Sequence, residues 1–127
     1  MRPGWAFQLV DHDYSGGSWS WDVDRRKLLG IMGFLQEMEK KTWGEIRAEM
    51  TGGFGRRGEK HKYMDVQSLC PEAQRRLTDI ELDDQDRLFR FRLGNLERLW
   101  GIVLPDDHIF YALWWDPSHK VCPSADR

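Results

Sequence analysis

The sequence predicts an α+β fold in which a helix pair packs on an antiparallel sheet that ends in a C-terminal three-stranded meander. Three runs rich in aromatic and branched residues follow one another in the last third of the chain: 87–93, 96–104 and 109–115. Short turn-forming stretches at 94–95 and 105–108 separate these runs, which is typical of antiparallel strands joined by tight connections. Further upstream, apolar residues recur at the spacing of an amphipathic helix.

The first strand of the meander alternates between two kinds of side chain. Phe89, Phe91 and Leu93 share one face, and Leu88, Arg90 and Arg92 share the other. Successive side chains in a strand point to opposite faces, so we expect one face to be buried and the other to show its cations.

The other two strands of the meander add two expectations. The third run is apolar or aromatic on both faces, which is typical of a central strand, and its alternation places Leu113 and Trp115 opposite Trp114. In the middle run, Gly101 indicates either a bulge or a close approach to the backbone.

The N-terminal part begins with a predicted strand over 5–10 and a turn over 11–17. A helix follows between residues 24 and 41, with Asp22 or Asp24 as its N-cap. Its expected core positions are Leu28, Met32 and Leu35, which pack against Phe89, Phe91, Leu93 and Leu113.

Two further features concern the helix pair. Gly30 and Gly33 each cost about 1 kcal/mol relative to Ala in a helix interior, which indicates that something packs tightly beside them. Thr42 and Glu45 have the spacing of a capping box, which predicts the start of a second, short helix.

One strongly basic stretch lies between residues 52 and 62, although the chain carries a net charge of -2 and therefore lacks a global attraction for nucleic acid. It contains four glycines and the following cations: Arg56, Arg57, Lys60, His61 and Lys62. The stretch is either a phosphate-binding segment or a solvated loop. In the free protein we expect it to be mobile and to be cleaved first after Arg56 or Arg57.

Two groups of residues suggest chemistry. Arg90, Arg92 and Arg98 either bind RNA phosphates or pair with acidic neighbours at 84, 86 and 97. In the turn after the last strand, Asp116 either orients His119 for proton transfer or caps the turn.

Composition and motifs exclude several classes. The chain lacks the phosphate-binding loop of nucleotide hydrolases and any paired metal-ligand signature, so we expect neither a cofactor nor a metal. It also lacks a signal peptide and an apolar run long enough to span a bilayer, and Cys70 and Cys122 are expected to be free thiols. We therefore expect a single domain over residues 1–127, cytoplasmic and without a membrane partner.

The order of a strand, a helix pair and a three-stranded meander resembles the layout of the RelE/ParE toxin superfamily, small bacterial proteins many of which cleave messenger RNA. The ending from Phe110 to Pro123, with its Trp-Trp-Asp-Pro-Ser-His-Lys-Val segment, resembles the ending of small uncharacterised bacterial and phage proteins. The first resemblance implies a toxin of a toxin–antitoxin pair. No catalytic position is carried over from either family.

The first functional hypothesis is a metal-independent endoribonuclease. His61 and His119 would move protons, with Asp116 fixing the tautomer of His119. The residues expected to bind RNA are Arg56, Arg57, Lys60, Lys62, Arg90, Arg92 and Arg98.

The second hypothesis is a non-catalytic interaction or inhibitor protein of a phage or mobile element. Seven Trp residues are many for 127 residues, and Trp and Arg dominate binding hot spots. Such a protein would bind a protein partner through exposed Trp and Arg side chains.

Overall fold

The computed structural model describes residues 1–51 and 58–123. Its elements follow one another in the order β1 (Gly4–Ala6), α1 (Arg25–Met38), α2 (Trp43–Ala48), β2 (Lys62–Asp65), a 3-10 turn (Val66–Ser68), α3 (Pro71–Asp79), β3 (Arg87–Arg92), β4 (Arg98–Val103) and β5 (Ile109–Asp116). The strands form one sheet in the order β1-β5-β4-β3-β2. The α+β class and the C-terminal meander are confirmed, but β1 runs parallel to β5, so the sheet is mixed.

The starts of the helices follow from local hydrogen bonds. Asp24 caps α1, since its side chain accepts the backbone N–H of Lys27 at 2.8 Å. The predicted capping box of α2 is also confirmed: Glu45 N–H donates to Thr42 Oγ1 at 3.1 Å, and Thr42 N–H donates to Glu45 Oε1 at 2.9 Å. Pro71 occupies the first turn of α3, where its missing N–H costs nothing.

Helices cover both faces of the sheet, and not only one. On one face, α1 and α2 pack against a cluster that includes Ile31, Leu35, Ile46, Phe89 and Phe91. On the other face, α3 packs against a second cluster, whose members include Ala73, Leu77, Leu88, Trp100, Trp114 and Val121. The face of β3 that carries Arg90 is therefore covered by α3 and its neighbours and does not open to solvent.

A β-bulge breaks the regular alternation of β5. Trp100 pairs with Trp114, but Gly101 pairs with Ala112, so Leu113 is the additional residue. As a result Leu113 and Trp114 both join the cluster on the α3 face, and Trp115 joins the other. The predicted alternation was wrong at this point, whereas the bulge predicted beside Gly101 is confirmed.

Other expectations about the core have mixed outcomes. Phe89 and Phe91 share a face as predicted, and Leu35 is buried. Leu28 and Met32, expected in the core, are 44% and 48% exposed. The spacing of α1 was recognised correctly, but its apolar residues extend well beyond the side that contacts the sheet.

The basic stretch was predicted to be mobile through residue 62, and this was wrong for its C-terminal part. Glu59 forms an antiparallel bridge with Met50, and Lys60 N–H donates to the carbonyl of Glu49 at 2.9 Å. His61 is buried, and Lys62 begins β2. Positions 52–57, with the expected cleavage sites after Arg56 and Arg57, lie outside the described residues.

Two smaller observations complete the fold. Cys70 and Cys122 are free, as predicted. Within the described residues, no helix combines the length and the apolar character needed to cross a membrane.

Candidate functional site

Most of the predicted site residues lie at one end of the sheet. Across the strands, Arg92 of β3 stands opposite Arg98 of β4, and Arg98 stands opposite Asp116 of β5. His61 precedes β2 at the same end and binds the backbone of Arg92. We call this set, together with the neighbouring Lys60, Lys62 and Arg90, the sheet end.

Two of its arginines are interior residues. Arg90 and Arg98 are each 1% exposed. Arg90 Nη2 donates to the carbonyl of Lys60 at 2.8 Å, and Arg98 Nη1 donates to the carbonyls of Gly94 and Glu97, both at 3.1 Å. The expectation of an exposed cationic face is wrong for these two side chains, because each holds the backbone of a connection at the sheet end.

His61 is fully buried between aromatic rings. Its ring lies 5.2 Å from that of Phe91 and 5.9 Å from that of Phe34, between centroids. The backbone N–H of Arg92 donates to Nδ1 at 3.0 Å, and Nε2 lies 3.6 Å from Glu49 Oε1.

This environment sets the charge of His61. Burial lowers its pKa from the usual 6.5 to about 4, and the nearby carboxylate of Glu49 only partly opposes this effect. The imidazole is therefore neutral at pH 7 and serves as a hydrogen-bond acceptor for the sheet, a position that does not suit contact with an RNA strand.

The turn after β5 is held by Asp116, whose side chain is fully buried. Its carboxylate accepts the backbone N–H groups of Lys120 and Val121, each at 2.9 Å. His119 adopts a left-handed backbone conformation within this turn, with φ of 56°. Of the two alternatives for Asp116, the structure has the one in which the carboxylate caps the turn.

Three other cations of the sheet end are partly exposed: Lys60, Lys62 and Arg92. Lys60 and Arg92 line a cleft of about 310 Å³, together with Met50 and Gly94. Lys60 Nζ lies 4.0 Å from Glu49 Oε1, so part of its charge is balanced locally. Arg56 and Arg57, predicted to bind RNA, lie outside the described residues.

A buried carboxylate that sequence reasoning missed joins three parts of the fold. Asp11 accepts two hydrogen bonds from Arg76 of α3, at 2.8 and 2.7 Å, and one from the indole N–H of Trp114 at 2.9 Å. Burial alone would raise the pKa of Asp11, but these hydrogen bonds lower it below its ordinary value.

The bulge completes this junction. The carbonyl of Leu113 accepts the backbone N–H of Asp11 at 3.0 Å and the indole N–H of Trp21 at 2.8 Å. Asp11 therefore serves the structure, although its neighbours His12 and Asp13 are also residue types that bind metal ions. Among the described residues, no group of three His, Cys, Asp or Glu side chains is placed to hold a metal ion.

None of the seven tryptophans is an exposed residue. Trp19, Trp100, Trp114 and Trp115 are buried, and Trp5, Trp21 and Trp43 are half-buried. Several indole N–H groups bind within the fold: Trp5 to Glu39 at 3.0 Å and Trp43 to the carbonyl of His108 at 2.9 Å. The Trp residues fill the core and fasten segments together, which is not the partner-binding role expected of them.

Among the described residues, eight large apolar side chains are exposed, and three of them lie together on α1. Leu28, Leu29 and Met32 are between 44% and 50% exposed, and successive positions of a helix differ by about 100°. The three side chains therefore lie next to one another on one side of α1, which we call the α1 apolar side. No charged or aromatic pattern had marked it in the sequence, because its spacing merges with that of the buried positions.

Comparisons with protein-family models, curated proteins and solved structures found no match for this chain.

Proposed function

We propose that this chain is a non-catalytic interaction protein that binds a protein partner through the α1 apolar side. The observation that carries this proposal is the exposure of three adjacent large apolar side chains, Leu28, Leu29 and Met32, on one helix. Single exposed apolar residues are ordinary, but a contiguous group marks an interaction surface.

The free energy gained by covering these three side chains is large enough for a specific contact. Burying a Leu or Met side chain completely contributes roughly 1.5–3 kcal/mol, so covering the half that remains exposed on each residue contributes about 1 kcal/mol. Arg25, which is also exposed, lies beside this group at the first turn of α1. The partner surface that fits is the apolar side of an amphipathic helix with an acidic residue placed against Arg25.

The test compares two variants that carry the same Leu-to-Glu substitution at different sites. Leu28→Glu introduces a charge into the α1 apolar side, and Leu104→Glu introduces the same charge at a site of similar exposure, 41%, outside α1. Each variant, and the unchanged chain, is used as bait in a lysate of the source cells, and the captured proteins are identified by mass spectrometry.

We expect one partner to be retained by the unchanged chain and by Leu104→Glu, and to be lost from Leu28→Glu. The same captured proteins with all three baits would rule out the α1 apolar side as the docking surface. Circular dichroism confirms that the two variants remain folded.

A second candidate function is metal-independent RNA cleavage at the sheet end. It is supported by the three partly exposed cations of the sheet end, Lys60, Lys62 and Arg92. His61 is buried and neutral, and both ring nitrogens of His119 are also buried, so His119 would transfer the proton only after the turn that carries it opens.

This candidate is tested with mixed single-stranded RNA, a metal chelator and a gel. We expect His119→Ala to slow cleavage by roughly 100-fold with little loss of binding. Lys60→Ala and Arg92→Ala should weaken binding and reduce its salt dependence, since fewer counterions are released. A failure of the unchanged chain to bind RNA at low salt would exclude this function and leave the first proposal intact.

A further inference from the structure

Four charges on α1 lie at the unfavourable ends of their own helix: Arg25, Arg26 and Lys27 near its start and Glu37 near its end. Arg26 is in the first turn and Glu37 is in the last turn, and both are exposed. The N-terminus of a helix carries partial positive charge and the C-terminus partial negative charge, so each placement costs about 0.3–1 kcal/mol. Glu37 also pairs with Lys40 at 3.0 Å, but both side chains of this pair are about two-thirds exposed.

Arg26 and Glu37 lie on the same side of the helix as two glycines. Residues 26, 30, 33 and 37 are separated by four, three and four positions, the spacing that places residues on one side of an α-helix. We call this the α1 polar-ended side. A Cβ added to Gly30 or to Gly33 would meet nothing within 4 Å, so packing inside the chain does not require either glycine.

We propose that the α1 polar-ended side binds the same side of α1 in a second copy of this chain, with the two helices antiparallel. Arg26 and Glu37 lie equally far from the midpoint of this side. A two-fold axis at that point therefore places Arg26 of each copy beside Glu37 of the other. Each charge, unfavourable at its own helix end, then lies beside the favourable end of the other helix.

The same two-fold axis also determines which small and large residues of the two copies lie side by side. Gly30 of one copy lies beside Gly33 of the other, so the backbones approach closely. Leu29, which is 50% exposed, lies on the flank of this contact that faces Gly33 and Gln36 of the second copy. The pairing thus covers apolar area as well as relieving the charges.

A cleft lies beside α1, on one flank of the α1 polar-ended side. It has a volume of about 360 Å³ and runs between α1 and the connection from β3 to β4, with Gly30, Phe34 and Leu93 among its lining residues. Leu96, in the same connection, is 49% exposed and adds apolar surface at its rim. Lys27 and Glu97, which both line the cleft, form an ion pair.

This contact leaves two of the three residues of the α1 apolar side, Leu28 and Met32, accessible. At about 100° per residue, the polar-ended side points roughly 120° away from the direction shared by Leu28, Leu29 and Met32. Leu28 and Met32 therefore remain open to the partner of the proposed function, and the two contacts can be tested separately.

The experiment is sedimentation equilibrium of the full chain from micromolar to millimolar concentration. We expect the mass to rise from that of the 15.1 kDa chain towards twice that value. Arg26→Glu and Glu37→Arg should each raise the dimer dissociation constant by about tenfold or more, because each places like charges side by side. An equal mixture of these two variants restores opposite charges at both ends and should regain the dimer.

Unfolding cannot account for the expected losses. Both substitutions place a favourable charge at a helix end, so each should raise the Tm of the monomer. Leu28→Glu is the matched control and should leave the dimer unchanged. The proposal is overturned by an unchanged chain that stays monomeric throughout, by variants that dimerise as tightly as the original, or by a mixture that fails to recover.

Discussion

Gly101 of β4 lies directly against Phe110 of β5. A Cβ on residue 101 would stand 2.4 Å from Cζ of the Phe110 ring and 2.4 Å from the carbonyl oxygen of Tyr111. This contact lies beside the bulge at Leu113, where the carbonyl turns away from the ladder to bind Asp11 and Trp21. The missing side chain at position 101 thus lets the two strands pack closely at the point where β5 changes its alternation.

Gly101→Ala should lower the free energy of unfolding by about 2–3 kcal/mol, because the new methyl group forces a buried ring and a strand backbone to shift. Urea denaturation followed by tryptophan fluorescence measures the change. A variant as stable as the original would mean that β4 and β5 separate there at little cost.

Gly30→Ala should have the opposite effect. Its Cβ enters open space, and Ala is about 1 kcal/mol better than Gly in a helix interior, so the free energy of unfolding should rise by about that amount. The same urea experiment, run at a concentration where the chain is monomeric, gives the value. Destabilisation would show that something inside the chain already occupies this space.

Asp11→Ala should destabilise the fold by about 3 kcal/mol, since it leaves the partly buried guanidinium of Arg76 and the indole N–H of Trp114 without their acceptor. Asp13→Ala is the control, because its side chain is 84% exposed and pairs with the exposed His12, so it should change stability by less than about 0.5 kcal/mol. Thermal unfolding of both variants measures the difference. Equal destabilisation by the two substitutions would show that Asp11 does not have this structural role.

His61 should make the fold sensitive to mild acid. Its pKa is about 4 when folded and 6.5 when unfolded, so between these values the unfolded chain binds a proton that the folded chain does not. The contribution of His61 to the free energy of unfolding is therefore fully present above pH 6.5. It decreases by roughly 2–3 kcal/mol as the pH drops towards 4.

The pH profile of urea unfolding tests this expectation with two variants. His61→Asn keeps an acceptor for the N–H of Arg92 and should remove most of the slope between pH 4 and 6.5. His12→Asn, at a site that is 74% exposed, should leave the slope unchanged. An unaltered slope in His61→Asn would assign the acid sensitivity to other groups.

Much of the fold was predictable because its signals are local. Hydrophobic spacing identified α1 and the three strands of the meander, and the side chains of Thr42 and Glu45 marked the start of α2. The bulge beside Gly101 was also anticipated, since a glycine inside a strand commonly accompanies a bulge or a close approach of two backbones. The effect of the bulge on Leu113 and Trp115 was not anticipated. One additional residue in β5 moves every side chain that follows it to the other face of the sheet.

The candidate site was harder to predict for a different reason. Alternation in β3 correctly grouped Arg90 with Leu88 on one face. It could not indicate that α3 returns to cover that face, so Arg90 was expected to be exposed. In the same way, helical spacing grouped Leu28 with Leu35, although only Leu35 contacts the sheet.

The sequence by itself determined the class of fold, the meander, the capping box of α2 and the grouping of side chains by face in β3, because these depend on neighbours within a few residues. Only the tertiary structure decided which faces are covered. It buried Arg90, Arg98 and His61, and it left the α1 apolar side in solvent. Burial depends on elements that are distant in the chain, as when Asp11 meets Arg76 and Trp114, and no local spacing encodes those encounters.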